Sequence, residues 1–260
     1  MAGGGYHRPP PFAFLEMIFN VVATGSSGNC YTLTSSSREI LIIEAGIRYD
    51  RILKAINYEL QNVSGVIVSH RHGDHSQALN KCQEAGLHTY CNLDTAQHKR
   101  TLIPHYTHII RGSFWVGGYY ITPLEVTHDV PCYAFVITHQ ELGNRRVVFA
   151  TDCVTFPYRV QNVALFAVEC NYDDKTLQYA IDNGISHPQE RHRLECSHME
   201  LQQTIQAINL QREASRDTLH SAVLIHASSR HATPSEMIDR VERGTGIPTY
   251  LAAPKQVFEL

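Results

Sequence analysis

GVIVSHRHGDH, residues 65–75, decides how this chain is read. Gly65 to Ser69 is a short apolar run without polar alternation, the pattern of a strand covered on both faces. His70-Arg71-His72-Gly73-Asp74-His75 then sets three imidazoles and a carboxylate at a strand-to-helix turn. Borderline divalent metals take imidazole nitrogen and carboxylate oxygen, and a tight loop after a buried strand aims alternate side chains at one point. His70 and His72 can converge on one ion. Asp74 and His75, beyond Gly73, can reach a second ion a few ångströms away, as two-metal hydrolytic sites require. At this chain's own residue frequencies H-x-H-x-D-H is expected by chance roughly 0.002 times.

Upstream of the loop, strand-like runs at Ile18 to Ala23, Cys30 to Thr34 and Ile40 to Ile43 are separated by GSSGN and SSSRE, which predicts a meander. Ile52, Leu53, Ile56 and Leu60 share one face of a helix expected over 49–60. Downstream, helices are expected over 77–85 and 95–102 around a strand at 87–90. Further strands are expected at 119–124, 134–138, 146–150 and 163–169. The last third reads as helices over 174–182, 199–210 and 234–243 around a strand at 222–226. One domain of two sheets flanked by helices accommodates this order.

Composition sets the outer limits. With 260 residues, 43% hydrophobic and 18% charged, the chain can bury a core, which excludes disordered and coiled-coil classes. No run of about 18 apolar residues predicts a membrane span. A net charge of -3 gives no global basic field, so a nucleic-acid partner needs a local patch or bound metal. Seven cysteines without a C-x-x-C pair fit neither a disulfide framework nor a zinc ribbon, and point to a reducing, cytoplasmic compartment. Residues 1–16, rich in Gly and Pro, read as a flexible leader that is no secretory signal, with the folded domain expected over 17–260. Sixteen histidines are the one compositional anomaly.

An H-x-H-x-D-H loop directly after an apolar strand resembles the signature of the metallo-β-lactamase fold superfamily. The resemblance implies an α/β, four-layer αβ/βα sandwich with one or two metals at the sheet edges. LEVTHDVPCYAFVI supplies a histidine after a strand, His128; VVFATDC supplies a strand-end aspartate, Asp152; AVLIHASSRHATP supplies a last strand-end histidine, His226. By this resemblance His70, His72 and His128 hold one metal, Asp74, His75 and His226 hold a second, and Asp152 bridges them. The implied cofactors are two divalent ions, zinc first and manganese second. Glu44 in LIIEAG stands where the family has Asp, and is expected to orient the metal loop through hydrogen bonds.

The interval between Asp152 and His226 leaves no room for the additional domain of RNase J and the β-CASP nucleases. VECNYDD places Glu169 at a strand end, and CSHMELQQTI places His198 at a helix start. This order is similar to RNase Z-like phosphodiesterases and to the small nucleases called YycJ or WalJ. The resemblance implies a phosphodiesterase acting on nucleic acid, an exonuclease in the latter group. Asp74 is expected as ligand and base, His198 as general acid and Glu169 as its orienting partner. Ser228, Ser229 and Arg230 are candidates for binding a substrate phosphate. SHMEL and HASSR depart from the YycJ pattern, which keeps two alternatives open: a hydrolase of a cyclic phosphodiester, lactone or thioester on the same scaffold, and a non-catalytic nucleotide-binding member. HPQERHRLECSH, 187–198, reads as a mixed-charge surface loop, with a phosphate-contacting rim of His187, Arg191, His192 and Arg193 as the alternative, and Cys153 and Cys170 read as core residues.

Overall fold

The computed structural model describes residues 17–100, 103–228 and 230–260, so the expected leader lies outside the described residues. The chain begins with the antiparallel meander β1 (Ile18–Ala23), β2 (Cys30–Thr34) and β3 (Ile40–Ile43), then helix α1 (Tyr49–Ala55). Parallel strands β4 (Val63–Ile67), β5 (Thr89–Cys91) and β6 (Thr107–Ile109) follow, interleaved with helices α2 (Gly73–Ser76), α3 (Leu79–Glu84) and α4 (Leu93–His98). A second meander comprises β7 (Phe114–Val116), β8 (Tyr119–Val126), β9 (Cys132–His139) and β10 (Arg146–Ala150). After β11 (Val163–Glu169) come α5 (Asp174–Asp182), α6 (Pro188–Ser197), α7 (Leu201–Ala214), β12 (Ala222–Ile225), α8 (Pro234–Thr245), β13 (Thr249–Leu251) and β14 (Val257–Glu259). Among the described residues the strands form two seven-stranded sheets, ordered β14-β1-β2-β3-β4-β5-β6 and β13-β12-β11-β10-β9-β8-β7.

Successive strand side chains point to opposite faces, so a continuous apolar run serves two layers at once. Leu41 and Ile43 of β3 pack between the sheets, while Ile40 and Ile42 pack outward with Ile52 of α1 and Leu79 of α3. In the other sheet Val147 and Phe149 face the inter-sheet layer, and Val148 and Ala150 face the layer holding Leu201 and Ile208 of α7 and Val241 of α8. The result is the four-layer αβ/βα metallo-β-lactamase sandwich, with helices outside both sheets.

Several element boundaries differ from the sequence expectation. The helix from Tyr49 stops at Ala55, because Asn57 and Tyr58 turn through positive φ and the Tyr58 N–H donates back to the Leu53 carbonyl at 2.8 Å. The helix expected over 77–85 is preceded by the separate turn α2, held where the Ser76 hydroxyl donates to the Arg71 and His72 carbonyls. α4 starts two residues early since the Asn92 side chain accepts the Thr95 N–H at 2.7 Å; Thr101 and Leu102, its expected end, lie outside the described residues. α7 runs over Leu201–Ala214 rather than 199–210. The stretch 187–198 is no loop: His187 caps the N-terminus, Pro188 occupies the first turn, and Leu194 is buried with Tyr172 and Leu177, which together make helix α6.

Candidate metal centre

Chain reversals at strand ends bring the site together. β4, β10, β11 and β12 run parallel within their sheets and deliver His70, Asp152, Glu169 and His226 at or just past their C-terminal ends. His128 follows β8, and His198 lies at the α6–α7 junction. Glu44, Asp152 and His226, which follow β3, β10 and β12, all have positive φ, at 67°, 31° and 54°. Such conformations cost roughly 1–3 kcal/mol each for a non-glycine residue and persist where the surroundings over-determine them. Here they turn three side chains inward toward one point.

Two donor groups face each other there. In the first, His70 Nε2 is 3.0 Å from His72 Nδ1, which is 3.3 Å from His128 Nε2, and Asp152 Oδ2 lies 3.9 Å from His70 Nε2. His128 Nδ1 donates to the Ser197 carbonyl at 2.7 Å, which fixes the tautomer and turns the Nε2 lone pair toward the site. In the second, Asp74 Oδ2 is 3.5 Å from His75 Nε2 and 3.3 Å from His226 Nε2. Asp152 Oδ1 reaches this group at 3.2 Å from His75 Nε2. Each group offers three or more nitrogen and oxygen donors within 4.8 Å of one another, a donor set that fits divalent cations, and Asp152, Glu169, His198 and His226 make a further, overlapping set. All seven residues expected as metal ligands are therefore adjacent.

Glu44 is fully buried behind the loop. One of its carboxylate oxygens accepts the Ser69 N–H at 3.2 Å, and the other lies 3.6 Å from His75 Nδ1, beyond hydrogen-bond distance. Glu169 is buried as well: Oε2 accepts the backbone N–H groups of Cys153 (2.9 Å) and Met199 (3.1 Å), while Oε1 is 2.7 Å from His198 Nδ1. These contacts lock the carboxylate and, through it, the imidazole of His198. Cys153 and Cys170 are in the core as expected, and burial pushes the Cys170 thiol up to about 12.

Burial works against charge throughout the cluster, and the neighbours decide the sign. His70, with imidazoles around it, is held well below the ordinary histidine value by burial and by His75. For His226 burial is outweighed by the carboxylates of Asp152, Asp74 and Glu169, and its value is pushed up to about 10. Desolvation of Asp152 and Asp74 is likewise outweighed by the surrounding histidines, and both stay ionised. His198 is raised because contact with Glu169 overrides desolvation.

The centre opens into a cleft of about 320 Å³ lined by Asp74, His198, Arg193, Ser228 and Arg230. Of the expected phosphate-binding residues, Ser228 is half-buried and its hydroxyl accepts the Arg230 and His231 N–H groups at 3.3 Å. Arg230 is exposed, 3.6 Å from Glu190, and Ser229 lies outside the described residues. Asn171 was not expected at the site, and Arg193 was the less favoured alternative for its stretch. Arg193 shares the cleft-facing side of α6 with Leu194 and Ser197, a spacing that shows only once 187–198 is read as a helix. Asn171 follows Glu169 by two residues and donates to the His226 carbonyl at 3.0 Å, a tie that strand alternation after Glu169 foreshadows.

A family model described as the beta-lactamase superfamily domain matches residues 47–227, more than half of the chain. The chain belongs to this superfamily. Within it, the chain is 26% identical over 174 residues to "Exodeoxyribonuclease YycJ" of Bacillus anthracis, a match covering 62% of this chain and 65% of that protein. It is 29% identical over 83 residues to "Exodeoxyribonuclease WalJ" of Streptococcus pneumoniae, 30% of each chain. The matched segments thus span less than two thirds of either relative. In three dimensions the superfamily fold aligns with the metallo-beta-lactamase fold protein YhfI from Bacillus subtilis at a TM-score of 0.73 and 19% identity, covering 94% of this chain and 100% of that one. Human tRNase Z, short form, aligns at 0.61 and 16%, covering 93% and 98%. Both likenesses bear on the fold alone. Among the described residues no helix is long and apolar enough to cross a membrane.

Proposed function

We propose that this chain is a dinuclear metal-dependent hydrolase of phosphodiesters, an exonuclease of the YycJ and WalJ kind acting on nucleic acid in a reducing, cytoplasmic compartment. The observation that carries the reading is His198 clamped to buried Glu169 at 2.7 Å, beside the two donor groups. An alkoxide leaving from phosphorus needs a proton at departure, whereas a thiolate leaving from a thioester, with a pKa near 8.5, has far less need of one. The names of the sequence relatives support nucleic acid as the substrate, and seven free thiols support the reducing compartment.

In this reading His70, His72 and His128 hold one ion, Asp74, His75 and His226 hold the other, and Asp152, with one oxygen toward each group, bridges them. Zinc suits the mixed nitrogen and oxygen donors, with manganese as the second choice. Bound there, the ions supply Lewis acidity, neutralising charge on the phosphoryl oxygens and easing deprotonation of water. Asp74, part-exposed at the cleft floor, accepts the proton of the attacking water. His198 engages Glu169 through Nδ1 and donates from Nε2 to the departing oxygen. Arg193 and Arg230, with the Ser228 hydroxyl, hold the phosphate next along the chain; Ser229, expected to join them, lies outside the described residues.

The test is hydrolysis of bis(p-nitrophenyl) phosphate by protein loaded with zinc or with manganese, alongside Asp74→Ala. Turnover that disappears in the variant is expected. Metal-replete protein with no turnover on this ester overturns the phosphodiesterase reading.

A further inference from the structure

Six of the sixteen histidines converge at the centre, and three more gather elsewhere. His88 immediately precedes β5, His108 lies within β6, and His105 stands just before that strand. β4, β5 and β6 are parallel, and the Val66 N–H donates to the His88 carbonyl, so His88 is level with the middle of β4, beside Gly65, while His70 follows its end. At about 3.3 Å per residue the two groups are on the order of 15 Å apart along the strands.

His88 Nδ1 and His108 Nε2 are 2.8 Å apart, and the ring centroids of His88 lie 5.0 Å from His108 and 5.7 Å from His105. Imidazole centroids in the catalytic cluster are separated by similar distances, for instance 4.7 Å for His70 and His128 and 5.2 Å for His75 and His226. Two of the three rings are held in place. The ring of His108 stacks on Tyr90 at 4.6 Å, and Tyr90 stacks in turn on Phe114 at 5.0 Å. His88 packs edge-on to Tyr106, and exposed His105 packs edge-on to the same ring at 4.9 Å, so a side-chain rotation is what brings its nitrogen to the other two. Burial and the neighbouring imidazoles keep His108 below the ordinary histidine value, so at neutral pH it is in the form that binds metal.

We infer that His88, His108 and His105 form a second, peripheral site for a borderline transition-metal dication such as zinc, nickel or copper, on three imidazole nitrogens with water completing the shell. Manganese, which prefers oxygen donors, is not held there. The ion ties the start of β5 to the chain entering edge strand β6, at the end of the sheet remote from the cleft.

The test is metal counting on the full chain after gel filtration, in wild type, His108→Gln and His105→Ala, each saturated with zinc and separately with manganese. The manganese arm reports the central site, so failure of the functional reading and failure of this one are distinguishable. Wild type is expected to retain one more zinc ion than manganese ion per chain. Both variants lose that ion and keep the wild-type rate on bis(p-nitrophenyl) phosphate. Because His105 is exposed, its alanine variant also covers the case in which His108→Gln fails to fold. Equal zinc and manganese counts in wild type, or an additional zinc ion that survives in both variants, overturn the site.

Discussion

Two histidine groups lie apart in the fold, one past the end of β4 and one at β5 and β6 beside it, and differ in what surrounds them. The central group contains carboxylates: Asp152 and Glu169 are buried within it, Asp74 closes it, and Glu44 backs it. The peripheral group contains aromatic rings, with Tyr90 and Tyr106 packed against it. The consequence is opposite electrostatics. His226 is raised by its carboxylates, whereas His108 is lowered by burial and by other imidazoles. Burying unpaired charge is costly, so the four carboxylates of the centre need positive partners, which raised histidines or bound cations supply, whereas the peripheral group holds no acid to balance. Imidazole supplies donor nitrogens in both groups; only the central one adds carboxylate oxygens to them.

The largest effect that breaks this contrast is expected from Asp152→Asn. It removes the charge shared by both central groups and should lower phosphodiesterase turnover by about 10²–10³-fold or more, with loss of manganese measured on the same samples. Retained metal and turnover would show that the central group does not depend on its shared acid.

Next comes His198→Gln, expected to keep the metals and to slow hydrolysis of a dinucleotide by about 10²-fold or more. The p-nitrophenyl ester should be less affected, since its leaving group needs little protonation. The pH profile carries the same information. Contact with Glu169 holds the His198 value above ordinary, so the acid form is present below that raised value and lost above it. Turnover of the dinucleotide should fall as pH rises through it, and Glu169→Gln should move that limb toward lower pH. A limb that stays in place in both variants assigns the proton to another group.

The smallest effect belongs to the periphery. An ion present at a hundred times its dissociation constant stabilises the fold by about 2.7 kcal/mol. For a chain of this size that is a rise in Tm of roughly 5–10 °C. The zinc-dependent gain should therefore be smaller by about this amount in His108→Gln than in wild type, by calorimetry, while the gain with manganese is the same in both.

Much of the centre was legible along the chain because its parts are short-range. His70, His72, Asp74 and His75 fall within one six-residue loop, and His128, Asp152 and His226 each end or follow an apolar run whose strand character is plain. The helix that carries Arg193 was hidden because α6 has no apolar stripe beyond Leu194, so its composition resembles a solvated loop until the cap at His187 and the packing of Leu194 are seen. The three-residue strands β6, β7, β13 and β14 are likewise too short for periodicity to register and exist through pairing with neighbours.

By itself the sequence determined the chemistry: a strand, a histidine-rich turn, and further strand ends carrying the residue types that bind metal, with both-face burial implied by unbroken apolar runs. Tertiary structure alone decided which oxygens of Asp152 face which group, that Glu169 grips His198 through three elements distant in sequence, and that His88 meets His108 across two parallel strands. Residue type and local spacing are written along the chain. Distances between side chains on different strands are fixed by register and by the packing of the layers between them, which no local window contains.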